Sequence, residues 1–272
     1  MIRIETYAEV TFVRLARRLL GRPFYWTGCY YVNGLLLDCG PPATATELLE
    51  FLAGRPLDAL ALTHHHEDHV GAAALLGRRT ERPPYIHAEG VGLLRDGFEQ
   101  QAYRRLAWGG RPPRAAATPL GHELAAGGLH LKVLHTPGHS RDHVCFFEPE
   151  RGWLFTGDLF LAERLRYLRD DEDLTLLIDS LERVARLPAR QVFCAHRGPL
   201  HDGMAALRRK ADILSAMRAA VRDGLARGRS QREVTRRVVG HEGWMTWFSL
   251  GRFSARNFVR AVAAAPGAPH ET

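Results

Sequence analysis

The chain has 272 residues, 46% hydrophobic and 25% charged, a balance that predicts a globular protein with a sizeable core and excludes a disordered or fibrous chain. No apolar run approaches the roughly 18 residues of a membrane span, and Met1-Ile2-Arg3-Ile4-Glu5 lacks the basic-then-apolar layout of a signal peptide. The expectation is therefore a cytoplasmic protein with no membrane partner. The net charge of +7 is uneven, with 13 Lys+Arg against 5 Asp+Glu from Met204 onward and 24 against 25 before it.

Short β-rich apolar runs recur along the chain, each broken by Gly, Pro or polar residues. Leu57 to Leu62 predicts a buried strand that runs into Thr63-His64-His65-His66-Glu67-Asp68-His69. Gly71 to Leu76 then predicts a helix, so Asp68 and His69 stand where loop becomes helix. The spacing His-x-His-x-Asp-His gathers nitrogen and oxygen donors that suit a divalent transition ion. Clustering them costs desolvation that packing does not explain, which leaves a solvated polar loop as the other reading.

The arrangement of a strand followed by a donor recurs three times. His130 to Leu134 runs into Thr136-Pro137-Gly138-His139, Trp153 to Phe155 into Thr156-Gly157-Asp158, and Val192 to Cys194 into Ala195-His196. Four strand ends offering donors on one rim describe a sheet edge that builds a metal site. Cys29, Cys39, Cys145 and Cys194 show no Cys-x-x-Cys pairing, so buried thiols in a reducing compartment are expected rather than disulfides.

From about Met204 the period becomes helical, which sets a boundary near Gly203 and two regions, 1–203 and 204–272. Ala205 to Arg227 predicts one long helix, Ser230-x-x-Glu233 a capping box opening the next, and Arg252 to Ala264 a third. The Ala-rich end, Ala261 to Ala268, is expected to fray. Trp244, Trp247 and Phe248 interleave with the basic charge, and their spacing predicts an apolar face packed onto the core.

These motifs, in this order, resemble the metallo-β-lactamase-fold hydrolase superfamily, and most of all its glyoxalase II and lactonase-type branch. The matching residues are His64-x-His66-x-Asp68-His69, Thr136-Pro137-Gly138-His139, Gly157-Asp158 and Ala195-His196-Arg197-Gly198. Upstream, Leu35-Leu36-Leu37 runs into Asp38-Cys39-Gly40, where the family carries a strand ending in Asp-x-Gly. The resemblance covers roughly residues 20 to 203 and implies an α/β fold, the four-layer αββα sandwich, with a C-terminal helical appendage. It implies one metal on His64, His66 and His139, a second on Asp68, His69 and His196, and Asp158 bridging both. In an extended loop His64 and His66 point the same way and His65 points away. Zinc is the default metal, with iron or manganese as alternatives. Asp68, Asp158 and Tyr167 are the candidate catalytic residues, and Tyr167 would hydrogen-bond a substrate carbonyl. Arg197 stands where many relatives carry glycine, so the site wall bears a guanidinium that suits an anionic substrate. Tyr167 and Arg197 are also readable as an ordinary half-buried tyrosine and a solvent-facing arginine. His87 is read as standing behind the donors, and His122, His130, His135, His143, His201, His241 and His270 fit no donor position.

Two metals that share a water lower its pKa and present hydroxide to an electrophilic carbon or phosphorus. The first function this implies is a binuclear hydrolase acting on a thioester or lactone, a small-molecule substrate. The alternative is a phosphodiesterase or ribonuclease whose basic tail tracks a nucleic-acid backbone. A mono-iron or di-iron redox protein, or a binding module with a vestigial site, accounts less well for the complete donor set.

Overall fold

The computed structural model describes residues 1–264 and divides into two compact units. The first comprises Met1–His135, Asp142–Asp158 and Pro188–Gly203, and the second Thr136–Arg141, Leu159–Leu187 and the described residues from Met204 onward.

Two sheets form the first unit. The larger runs in the order β1 (Ile2–Tyr7), β2 (Val10–Leu19), β3 (Arg22–Val32), β4 (Leu35–Leu37), β5 (Ala59–Ala61), β6 (Tyr85–Ile86) and β7 (Thr118–Pro119). Its first four strands are antiparallel, while β4 to β7 pair in parallel. The Leu-Leu-Leu of β4 is buried throughout, as a parallel strand covered on both faces requires. The smaller sheet contains β8 (Glu123–Ala126), β9 (Leu129–His135), β10 (Val144–Glu148), β11 (Trp153–Phe155) and the strands Gln191–Cys194 and Gly198–Leu200. There β11 and Gln191–Cys194 are parallel, so the turns that follow them leave the sheet on the same side.

One core joins the two sheets. Phe12, Tyr30, Leu35 and Leu37 of the larger pack with Leu131, Phe146, Phe155 and Phe193 of the smaller. Burying each such large apolar side chain contributes about 1.5–3 kcal/mol. The Tyr30 hydroxyl, buried with them, donates to the Cys194 carbonyl at 2.7 Å, so its polar end does not cost stability. On the opposite face of the larger sheet, Val13, Leu15 and Leu36 pack against Leu48, Phe51, Leu76 and Leu94. Those four come from the helices Ala45–Phe51, Ala73–Thr80 and Ala88–Asp96. The unit is thus a helix layer on a sheet on a sheet, and the mixed α/β class expected from the sequence holds. All four cysteines are buried and no disulfide joins them.

In the second unit the helix Leu174–Val184 starts on Asp173, whose carboxylate accepts from Leu176 N at 3.0 Å. The long helix Gly203–Ala226 is followed by Gln231–Val234, where Ser230 Oγ accepts from Glu233 N at 3.3 Å. The helix expected over Arg252 to Ala264 begins only at Ala255, because Phe253–Ser254 pairs as a strand with Leu168–Arg169. Trp244 and Trp247 correct the sequence expectation: they are 62% and 82% exposed, so this apolar face is not packed onto a core. Part of the fraying expected over Ala261 to Ala268, and His270, lie outside the described residues. Among the described residues no helix is long and apolar enough to cross a membrane.

Candidate metal centre

The centre starts from strand ends in the larger sheet. Asp38 follows β4 directly, and its backbone N donates to Ala61 O at 2.9 Å, which pins it beside the end of β5. It adopts a left-handed conformation, φ 63°, a strained choice for a residue with a side chain. The carboxylate then turns to the loop after β5. Oδ1 accepts from Thr63 N at 2.8 Å, and Oδ2 lies 2.8 Å from His69 Nδ1.

With its Nδ1 engaged, His69 presents Nε2 to two other carboxylates, 3.3 Å from Asp158 Oδ1 and 3.5 Å from Asp68 Oδ2. His196 meets the same pair, with Nε2 3.2 Å from Asp158 Oδ1 and 3.4 Å from Asp68 Oδ2. Its Nδ1 lies 2.8 Å from the Trp26 carbonyl, an acceptor only, so Nδ1 carries a proton and donates. One donor atom from each of Asp68, His69, Asp158 and His196 lies within 4.8 Å of the others.

The electrostatics of this cluster favour positive charge. Burial pushes the His69 pKa down, but the carboxylates of Asp158, Asp38 and Asp68 outweigh it and hold it well above the usual histidine value. His196 behaves alike, raised against its burial by Asp158 and Asp68. Burial raises the Asp158 carboxyl, and His196 and His69 pull it well below the usual range. His69 Nε2 is buried and makes no hydrogen bond, though two carboxylates face it beyond 3 Å. Donors converging at that spacing fit a cation between them, and nitrogen and carboxylate oxygen suit a divalent one.

Local packing explains why these turns form. Gly157 has φ 48°, and a Cβ there would stand 2.8 Å from His143 Nε2 and 2.9 Å from Thr63 Cβ. The bare backbone lets Asp158 N donate to His143 Nε2 at 3.1 Å, which sets the Asp158 side chain. His143 thus has a role that its place in the sequence does not announce.

His64 and His66 are both buried, with ring centroids 4.4 Å apart. Thr63 Oγ1 stands 3.0 Å from His64 Nδ1. His65 turns elsewhere, with its N and Nδ1 each 2.8 Å from an Asp142 carboxylate oxygen. In the second unit, His139 is buried and its Nδ1 lies 2.7 Å from Glu172 Oε1. Glu172 Oε2 accepts from Arg169 N at 2.9 Å, and Arg169 Nη2 donates to His139 O at 3.1 Å. Tyr167, half-buried, belongs to the second unit, and Arg197 to the first, where it is exposed. Neither is brought to the four-residue cluster by any described contact.

Asp38, Asp142, His143, Glu172 and the Trp26 carbonyl are the groups to which sequence reasoning assigns no role. Asp38 at a strand end and Asp142 three residues after His139 carry a positional signal. Glu172 and Trp26 carry none.

Comparison with known proteins follows the same lines. Residues 29–196 match the family model of the metallo-beta-lactamase superfamily. A hydroxyacylglutathione hydrolase of Legionella pneumophila (strain Paris) is 30% identical over 183 residues, 66% of this chain and 64% of that protein. The chain therefore spans under two thirds of the length of that relative. TTHA1623, solved in a di-iron-bound form, is 30% identical with a TM-score of 0.55, covering 71% of this chain and 97% of that one. A beta-lactamase domain protein from Burkholderia ambifaria shares the fold, with a TM-score of 0.69 over 97% of this chain and 89% of that one at 17% identity.

Proposed function

The chain belongs to the metallo-β-lactamase superfamily, and we propose that it is a hydrolase that holds two divalent ions and cleaves a thioester or a lactone. The observation that carries this reading is the set Asp68, His69, Asp158 and His196, the first three buried and His196 nearly so, with both imidazoles tied at Nδ1 to an acceptor. Metal-binding histidines are held in that way, by a carboxylate or carbonyl on the far ring nitrogen.

In this reading Asp68, His69 and His196 would hold one ion, His64, His66 and His139 the other, and Asp158 would serve both. Motif order supports the second set, and Glu172 on His139 Nδ1 supplies the same kind of anchor. Two dications so held would lower the pKa of a water toward neutrality and polarise a carbonyl, which is the chemistry of hydrolysis. Zinc is the first choice, with iron or manganese as alternatives.

The chain's own groups do the rest. Asp38 and the Trp26 carbonyl orient the two imidazoles before substrate arrives. Asp68 is buried beside both rings, which hold its carboxyl below the usual range, so it stays ionised and would orient the attacking water. Tyr167 donates to the substrate carbonyl, and the exposed Arg197 meets an anionic group on the substrate. The name of the Legionella relative makes an S-acyl glutathione thioester the first substrate to try. Four buried cysteines without a disulfide suit a cytoplasmic setting.

Metal analysis of the purified protein, joined to a panel of thioester, lactone and phosphodiester substrates, tests the reading. Thioester or lactone turnover supports it, and metal-loaded protein that turns over neither counts against it. A second reading rests on Trp244 and Trp247, exposed within the basic region from Met204 onward. Exposed aromatic rings among arginines suit stacked bases on a phosphate backbone. Steeply salt-dependent RNA affinity would favour this nuclease reading, and no binding at low salt would exclude it.

A further inference from the structure

A separate set of metal-binding side chains stands in the first unit: His87, Glu89 and His135. His87 follows β6 and caps the helix Ala88–Asp96, its Nδ1 accepting from Glu89 N at 3.4 Å. Glu89 lies in the first turn of that helix, and His135 is the last residue of β9. The two imidazoles stack face to face, with centroids 4.1 Å apart and planes 9° from parallel. Imidazole lone pairs lie in the ring planes, so one ring must turn about its χ2 bond out of this stack for both to meet a single ion. One donor atom from each of the three residues lies within 4.8 Å of the others.

The chemistry suits a cation better than it suits bare stacking. Two protonated imidazoles at this distance would repel, and burial together with His135 lowers the His87 pKa. A neutral ring keeps one lone pair at neutral pH, and at His87 an ion would take it from the long 3.4 Å contact with Glu89 N. Zinc holds nitrogen at about 2.0–2.1 Å and carboxylate oxygen at about 2.0–2.2 Å, so its donors stand roughly 3.4 Å apart. Reaching that spacing takes a shift of up to about 1.4 Å, supplied by rotation of the exposed Glu89 side chain and of the half-buried His87 and His135 rings. Three protein donors leave a fourth position for water.

We propose that His87, Glu89 and His135 form a third site for a divalent transition ion, zinc above all, apart from the cluster around Asp158. Because β6 belongs to the larger sheet and β9 to the smaller, an ion there clips the two sheets together at one end. The half-exposed donors make this a weaker site than the buried one, filled according to the zinc supply.

The test is equilibrium dialysis of the full chain against zinc, with the melting temperature followed in parallel. The double variant His87→Ala/His135→Ala should hold one equivalent fewer at saturation, and zinc should raise its melting temperature less than it raises that of the parent. Equal stoichiometry in parent and double variant would overturn the proposal. The comparison is repeated on an Asp158→Ala background, where the one-equivalent difference should persist whether or not the Asp158 cluster binds metal. Glu89→Gln guards against misfolding, since its side chain is exposed. It should weaken the last zinc equivalent about tenfold or more with an unchanged melting temperature in chelator. Unchanged affinity in Glu89→Gln would contradict the assignment.

Discussion

Asp38 Oδ2 lies 2.8 Å from His69 Nδ1, and this contact aims the other ring nitrogen of His69 at Asp68 and Asp158. The same carboxylate accepts from Thr63 N, so one side chain sets both the start of the histidine loop and the ring at its end. Asp38 does so from a left-handed backbone, which costs on the order of 1–3 kcal/mol and persists because its surroundings over-determine it.

Asp38→Ala should therefore release the His69 ring, with metal affinity and kcat falling about 10- to 100-fold and KM changing little. Chelator competition and steady-state kinetics measure the two effects. Values within about twofold of the parent would mean that Asp38 does not position the ring.

His65 and Asp158 should separate cleanly. Asp158→Ala should lose both metal content and activity, whereas His65→Ala should keep most of each, because His65 faces Asp142. Elemental analysis of the two purified variants decides it, and the reverse outcome would overturn the donor assignment.

Gly138 precedes His139 at φ 132°, where a Cβ would stand 2.3 Å from Leu177 N and 2.4 Å from Leu177 Cα. Backbone cannot yield as a flexible side chain can. Gly138→Ala should cost about 2 kcal/mol or more in chemical denaturation. A loss under about 0.5 kcal/mol would show that this turn relaxes freely.

Glu242 sets an acid-side dependence. Burial raises its carboxyl, but Ser254 Oγ and Thr246 Oγ1, donating at 2.7 Å and 2.6 Å, with the N–H groups of Ala255 and Arg256, pull it down to about 2. A pKa lower in the folded state gives stability that is complete above the unfolded value of 4.5 and is lost as the pH falls toward 2. Glu242→Gln should flatten the fall in melting temperature over that window, and an unchanged slope would contradict the role.

Donors that the chain carries contiguously are legible in its sequence. His64, His66, Asp68 and His69 stand within six residues, and a strand end marks Asp158 and His196. What chain order does not carry is which strand lies beside which. Asp38 reaches His69 because β4 and β5 pair in parallel with Leu37 opposite Ala61. Trp26 meets His196 across 170 residues, and no local pattern encodes that distance. Helical spacing places Trp244 and Trp247 on one face, but spacing does not say whether anything covers the face. The third helix begins late for a similar reason, since the strand partner of Phe253–Ser254 lies more than eighty residues upstream.

The most direct test is a zinc titration of metal-free protein, stripped on a chelating resin, with thioester or lactone hydrolysis followed at each addition. The two-ion reading predicts no activity without metal, a rise up to two equivalents per chain, and a plateau there. Activity in the metal-free protein, or a plateau at one equivalent, would contradict it.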